Sequence, residues 1–137
     1  MDANILVSVL NKEYPLFSYS ARIVSLADNK KFTVCTSPVC LAIAFYFAEK
    51  KSGTQAAKNK IGILAGKLFI TPIGKDEVLQ SLQNKKVNDF EDGIEYYAAA
   101  QYKCEAIITE DINDFYFSSI PVFSSKAFIE NHLFGIR

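Results

Sequence analysis

Fifteen carboxylates are the most reactive-looking groups in this 137-residue chain, and they are not evenly placed. Eight of them, Asp89, Glu91, Asp92, Glu95, Glu105, Glu110, Asp111 and Asp114, fall within residues 89–114, where Lys103 is the one base. Three clusters could meet in space: Asp2 with Asn4 at the start, Asp89, Glu91 and Asp92 at a helix start, and Asp111 with Asp114 behind an apolar run ending at Ile108. Carboxylates converging at one edge of a sheet repel one another. The natural relief is a hard divalent cation with oxygen ligands, which can activate water and stabilise the leaving oxygen of a phosphodiester. The bland reading of single acids is different. An acid in a first helical turn, such as Asp92, ordinarily caps the helix. By the same reading Glu95, Glu105 and Glu110 are expected to be solvated surface.

Composition removes several other chemistries. His132 is the single histidine, so a Ser-His-Asp triad or a His-rich zinc site has no support. Cys35, Cys40 and Cys104 are odd in number and form no CxxC, which points to small buried thiols in a reducing, cytoplasmic compartment. The six glycines build no GxGxxG or P-loop. The longest apolar run, Val39 to Ala48, is well short of the ~20 residues of a membrane span, and no signal peptide is visible. With no repeat or linker, residues 1–137 read as one domain.

Net charge is zero, but residues 1–88 carry 12 bases against 6 acids, and residues 89–114 carry the acidic block. Lys30-Lys31, Lys50-Lys51, Lys58, Lys60 and Lys85-Lys86 could therefore face a phosphate backbone while the acids face a metal.

These groups need elements to hold them. Asn4 to Leu10 is short and apolar. Helical spacing runs from Leu16 to about Asp28, after Pro15. Phe32–Cys35 reads as a strand, and Thr36-Ser37-Pro38 caps and starts a helix to about residue 50. That helix is apolar nearly all round and is expected to be buried on most sides. A helix from Thr54, a strand at Leu68–Ile70 and an amphipathic helix from Lys75 on Val78, Leu79 and Leu82 follow. Next come a helix opened by Asp89, a strand at Ala106–Ile108, a polar turn from Thr109 to Phe115 and a strand at Pro121–Phe123. Ser124 caps the last helix, on Phe128, Ile129 and Leu133. Short strands alternating with helices predict an α/β protein on a parallel sheet. Ligands of such sheets bind outside the carboxyl ends of the strands.

Several segments resemble one known family. Asp2-Ala3-Asn4-Ile5-Leu6 resembles the D-x-N start of PIN-domain ribonucleases. Asp89-Phe90-Glu91-Asp92-Gly93-Ile94 with Tyr97-Ala98-Ala99-Ala100 resembles their acidic helix start, and Ile107-Ile108-Thr109-Glu110-Asp111-Ile112-Asn113-Asp114-Phe115 their following strand and turn. Ile120-Pro121-Val122 with Phe128 resembles their ending; Ser20-Ala21-Arg22 and Thr36-Ser37-Pro38 match earlier positions. The resemblance implies a three-layer α/β/α sandwich with a central parallel sheet. It also implies an acidic pocket that binds Mg²⁺ or Mn²⁺ and cleaves single-stranded RNA. By position, Asp2, Asp92 and Asp111 would be catalytic metal ligands, with Asp114 a ligand or a supporting acid. Asn4 would orient Asp2, while Ser37, Asp89 and Thr109 would support the pocket or touch substrate. An antitoxin partner and a homodimer are implied as well, with no membrane.

The departures motivate an alternative: a PIN-like protein that has lost catalysis and binds RNA or protein. Counting from Ser37, the usual glutamate falls on Ile43. Ser8 stands where many members carry a second acid, Asp111 replaces an Asn, and Glu110 replaces a common base. Only Met1 precedes Asp2, so the family's central first strand is expected to be truncated or supplied differently.

Overall fold

The computed structural model describes residues 1–134. Each helix start is written in local chemistry. Asp2 accepts from the Ala3 amide and opens α1 (Ala3–Leu10). Ser37 accepts from the Cys40 amide, and Pro38 occupies the first turn of α3 (Pro38–Ser52). Asp89 accepts from the Asp92 amide to open α6 (Phe90–Gln101), and Ser124 from Ala127 to open α7 (Ser125–Phe128). Gly53, at φ +88°, ends α3 and starts α4 (Thr54–Lys67); only glycine enters that region without strain. The remaining helices are α2 (Phe17–Ser25) and α5 (Lys75–Gln83). A short 3₁₀ turn at Leu26–Asp28 extends α2, and another at Ile112–Phe115 follows β3. Beyond α7 the chain continues in wide π-helical turns over Ile129–Phe134. Leu133, expected on the buried face there, lies outside the described side chains.

Four short strands complete an α/β fold, and they pair in parallel as expected: β1 (Cys35–Thr36) with β2 (Phe69–Ile70), and β3 (Ile107–Ile108) with β4 (Val122–Phe123). They form two two-stranded sheets among the described residues. Between them lie the first two residues of the chain. The Met1 ammonium donates to the Cys35 carbonyl at 2.9 Å, and the Asp2 amide donates to the Ile108 carbonyl at 2.9 Å. Two residues thus occupy the place of a middle strand. Beyond them a cavity of about 690 Å³ separates the pairs, lined from one side by Phe32, Cys35 and Phe69 and from the other by Cys104, Ile107 and Phe123.

The core is built from three clusters. Leu6, Leu10, Cys40, Ala44, Ala48, Ala57 and Leu64 join α1, α3 and α4. Ile5, Ile23, Ile108 and Ile129 join α1 and α2 to β3 and the C-terminal turns. Tyr96, Ile107 and Phe115 join α6 to β3 and the turn after it. Each fully buried aliphatic side chain contributes roughly 1.5–3 kcal/mol of transfer free energy.

Two expectations need correcting. Apolar composition overstated the burial of α3: Cys40, Ala44 and Ala48 are buried, whereas Tyr46 and Phe47 are exposed. The small residues face the core because α1 and α4 approach closely there. In α5 the buried residue is Ser81, and Leu79 and Leu82 are exposed. Ser8 is fully buried, and its hydroxyl donates to the Ser20 hydroxyl at 2.7 Å, a tie between α1 and α2.

Candidate functional site

The site grows from the short strand at β3. The residue after it, Thr109, is fully buried and donates its hydroxyl to Asp2 Oδ2 at 2.7 Å. Asn4, in the first turn of α1, donates its amide to Thr109 Oγ1 (3.2 Å), Asp2 Oδ2 (3.3 Å) and Asp111 Oδ2 (3.0 Å). Its carbonyl oxygen accepts the Glu110 amide at 3.2 Å. One Asn side chain thus holds the start of the chain against the loop after β3, more than a hundred residues away in sequence.

A second cavity, of about 390 Å³, opens beside this network. Asp2, Asn4, Asp89, Asp92, Asp111 and Asp114 all line it, together with Glu95 and Ile43. The three acidic clusters of the sequence therefore meet. The charges act on one another: Asp92 is pushed up to about 7 by burial first and then by the charges of Asp89, Asp2, Asp114 and Asp111.

Two members of the site were not foreseen. Glu95, expected on the solvated surface, is mostly buried, and burial with the adjacent Asp2 charge pushes it up to about 9. Its Oε1 accepts the Cys40 thiol at 2.5 Å, and its Oε2 is buried with no hydrogen-bond partner among the described residues. Burial and the nearby Glu95 charge raise the Cys40 thiol far above its ordinary value. Asp2, Cys40 and Glu95 bring one ligand atom each to within 4.8 Å of one another. Asp92, Asp111 and Asp114 stand around the same cavity but do not join that triple. The signals were present in the spacing. Asp89, Asp92 and Glu95 recur every three residues, which places them along one helical face. Cys40 stands three residues after the Ser37 cap. The position reached by counting, Ile43, also lines the acidic cavity, while Cys40, one turn earlier, reaches the acids.

Other residues are spent on structure. Ser37 is buried, with its oxygen committed to the Cys40 amide, and it lines the cavity between the strand pairs instead of the acidic one. Glu110 is not free surface: its Oε1 accepts the Ser125 amide (3.1 Å) and hydroxyl (2.6 Å). Lys51 and Lys60 donate to the carbonyls of Asn11 and Leu10 at the end of α1, where cations suit the helix dipole. Lys50 lies over the Tyr46 ring, 5.3 Å from its centroid. Lys30, Lys31, Lys58, Lys85 and Lys86 are the exposed bases nearest to the expected role.

The PIN domain family model matches residues 1–113. This chain belongs to the PIN-domain family. Among curated proteins, ribonuclease VapC1 of Aquifex aeolicus (strain VF5) is 26% identical over 137 residues, covering 95% of this PIN domain and 92% of the relative. No solved structure matches. Among the described residues, no helix of this PIN domain is long and apolar enough to cross a membrane.

The donor set fits a divalent cation. A carboxylate oxygen on Glu95 without a hydrogen-bond partner among the described residues, and an Asp92 raised by burial and then by four neighbouring acids, both gain from positive charge. The carboxylates suit Mg²⁺ or Mn²⁺, and the Cys40 sulfur adds a softer donor.

Proposed function

We propose that this PIN domain is a metal-dependent endoribonuclease acting on single-stranded RNA. The observation that carries the reading is the convergence of Asp2, Asp92, Asp111 and Asp114 on one cavity, with the unpartnered Glu95 oxygen at its inner wall. Asp2, Asp92 and Asp111 would hold Mg²⁺ or Mn²⁺, with Asp114 beside them. Such an ion supplies an activated water and stabilises the leaving oxygen. The protein's own part is positional. Asn4 and Thr109 hold the Asp2 carboxylate by hydrogen bonds, so that it meets a ligand already oriented. Glu95, which lines the cavity, accepts the Cys40 thiol on one carboxyl oxygen. Exposed Lys30, Lys31, Lys85 and Lys86 are the groups to attract the RNA backbone.

Similarity to a protein named ribonuclease VapC1 supports the activity class. The family resemblance extends the reading to an antitoxin partner and to a homodimer in the cytoplasm. A second reading, a PIN domain without catalysis, draws on Ile43 in the acidic cavity and on the Cys40 thiol occupying one Glu95 oxygen.

One experiment separates them: Mn²⁺-dependent cleavage of a 5′-labelled single-stranded RNA by wild type and Asp92→Asn. The enzyme reading expects cleavage by wild type and a loss of roughly 100-fold or more in the variant. Equal rates in both would defeat the assignment. Absence of cleavage together with absence of calorimetric Mn²⁺ binding would establish the second reading.

A further inference from the structure

The acidic cavity has an apolar part that the proposed metal chemistry does not use. Val7 of α1, Leu16 ahead of α2, and Ile43 and Phe47 of α3 line it together with the acids. Ile43 and Phe47 stand four residues apart, on one face of α3, and α1 packs against that helix. Val7, Leu16 and Ile43 are partly buried, whereas Phe47 is 45% exposed. Tyr46, beside it, is exposed as well, and the two rings meet edge to face with centroids 5.3 Å apart. The Lys50 ammonium in turn lies over the Tyr46 ring. Contact by contact, the cavity thus connects to an exposed aromatic pair and a cation.

These neighbours fit a ligand that is anionic at one end and flat and apolar at the other. The acids, through a divalent cation, suit a phosphate. An exposed aromatic ring in the wall of a ligand-sized cavity gains most when another flat ring covers it. A nucleotide of a single strand carries both parts: its phosphodiester and, one sugar away, an unstacked base. In a duplex that base is paired and stacked, so its face is withheld. A free phosphate or an apolar peptide satisfies only one of the two halves. Stacking on Phe and Tyr accepts any base, since every base has a π-face, and a lysine beyond the rings suits a further phosphate.

We infer that Phe47 is a base-stacking platform of the RNA site: the nucleobase beside the bound phosphate lies on the Phe47 ring next to Ile43, and the strand continues over Tyr46 towards Lys50. The inference rests on the proposed reading of RNA as the ligand of the acidic cavity, and it holds whether or not that RNA is cut. It also gives Ile43 a use, because an apolar side chain at that position extends the seat for a base instead of adding a metal ligand.

The test measures binding of the whole chain to fluorescein-labelled oligoadenylate by anisotropy, with Ca²⁺ as the hard cation. Wild type should bind the single strand more tightly than its duplex with oligouridylate, and more tightly than an abasic ribose-phosphate oligomer of equal length. Phe47→Ala should weaken the single strand about 10-fold and leave the abasic oligomer unchanged. Phe47→Trp should keep the affinity. Its indole, alone in a chain without tryptophan, should be quenched by the single strand. An equal loss on the single strand and the abasic oligomer would overturn the inference, as would an unquenched indole in a variant that still binds. So would self-association that Phe47→Ala abolishes while RNA binding is unchanged, since the ring would then be covered by a second copy. Mn²⁺-dependent cleavage by wild type with no effect of Phe47→Ala on binding would overturn this inference and leave the nuclease reading intact. The 10-fold loss without any Mn²⁺-dependent cleavage would do the reverse. Failure of wild type to bind the single strand would overturn both.

Discussion

Individual side chains in this PIN domain carry two jobs at once, and Thr109 is the clearest case. Its hydroxyl donates to Asp2 and accepts from Asn4 and from the Asp111 amide. Thr109→Val keeps the shape and removes all three bonds. It should cost about 1–3 kcal/mol in denaturant unfolding, because Asp2 and Asn4 lose buried partners, and it should weaken Mn²⁺ binding measured by calorimetry. The cysteines divide by environment. Cys104 is lowered to about 6, chiefly by the hydrogen bond from Cys35 and with help from the nearby amino terminus, whereas Cys40 is raised by burial. Iodoacetamide at neutral pH should therefore alkylate Cys104 fastest and Cys40 slowest, read by peptide mass spectrometry. Preferential labelling of Cys40 would contradict the arrangement described for the acidic wall.

Elements are held in place by close approach more than by apolar bulk. Gly93 in the first turns of α6 packs against α5, where an added Cβ would lie 2.7 Å from Val87 Cγ1 and 3.0 Å from the Ser81 Cβ and Oγ. Gly93→Ala should destabilise the fold by about 1–3 kcal/mol despite its better helix propensity. Unfolding midpoints in urea check this; a more stable variant would show that α5 yields easily. Because Asp92 sits on the same turn, a shifted α6 should also reduce Mn²⁺ affinity. The strands contribute differently. Each is two residues long, so the strand pairs depend on helices packed over them and on the Met1–Asp2 stub between them.

Across the molecule, the charge balance of zero conceals a strained acidic cavity. Carboxyls held above their ordinary range bind more protons in the folded than in the unfolded protein. Stability then falls as pH rises from the unfolded carboxylate values, ~4, and levels off once the folded values are passed. For Asp92 that point is about 7 and for Glu95 about 9. Metal-free protein should therefore lose thermal stability progressively between pH 4 and pH 9, and saturating Mn²⁺ should restore most of it above pH 7. Glu95→Gln should flatten the curve between about pH 7 and pH 9 while reducing Mn²⁺ affinity. Scanning calorimetry at fixed ionic strength is the measurement. A metal-free curve that rises with pH over this range would remove the case for convergent acids.

The order of short strands and helices, the Ser37, Asp89 and Ser124 caps, and the three acidic clusters could all be read from the residues alone, whereas the Asp2 cap of α1 could not. Caps and periodicity are local, set by hydrogen bonds and side-chain spacing within a turn or two. That the three clusters could meet was read from their places at strand–helix junctions, whereas the assignment of Asp2, Asp92, Asp111 and Asp114 as ligands came from the family resemblance. Burial was the part the chain could not announce. Glu95 has the composition of a surface acid and Tyr46 that of a core aromatic, yet Glu95 lies inward and Tyr46 outward. Which face of α3 or α6 turns inward depends on how closely α1, α4 and α5 approach, and that closeness is set by small residues such as Ala44, Ala48 and Gly93. The partner of Cys40 has the same origin: its contact with Glu95 joins segments dozens of residues apart, which no local pattern encodes.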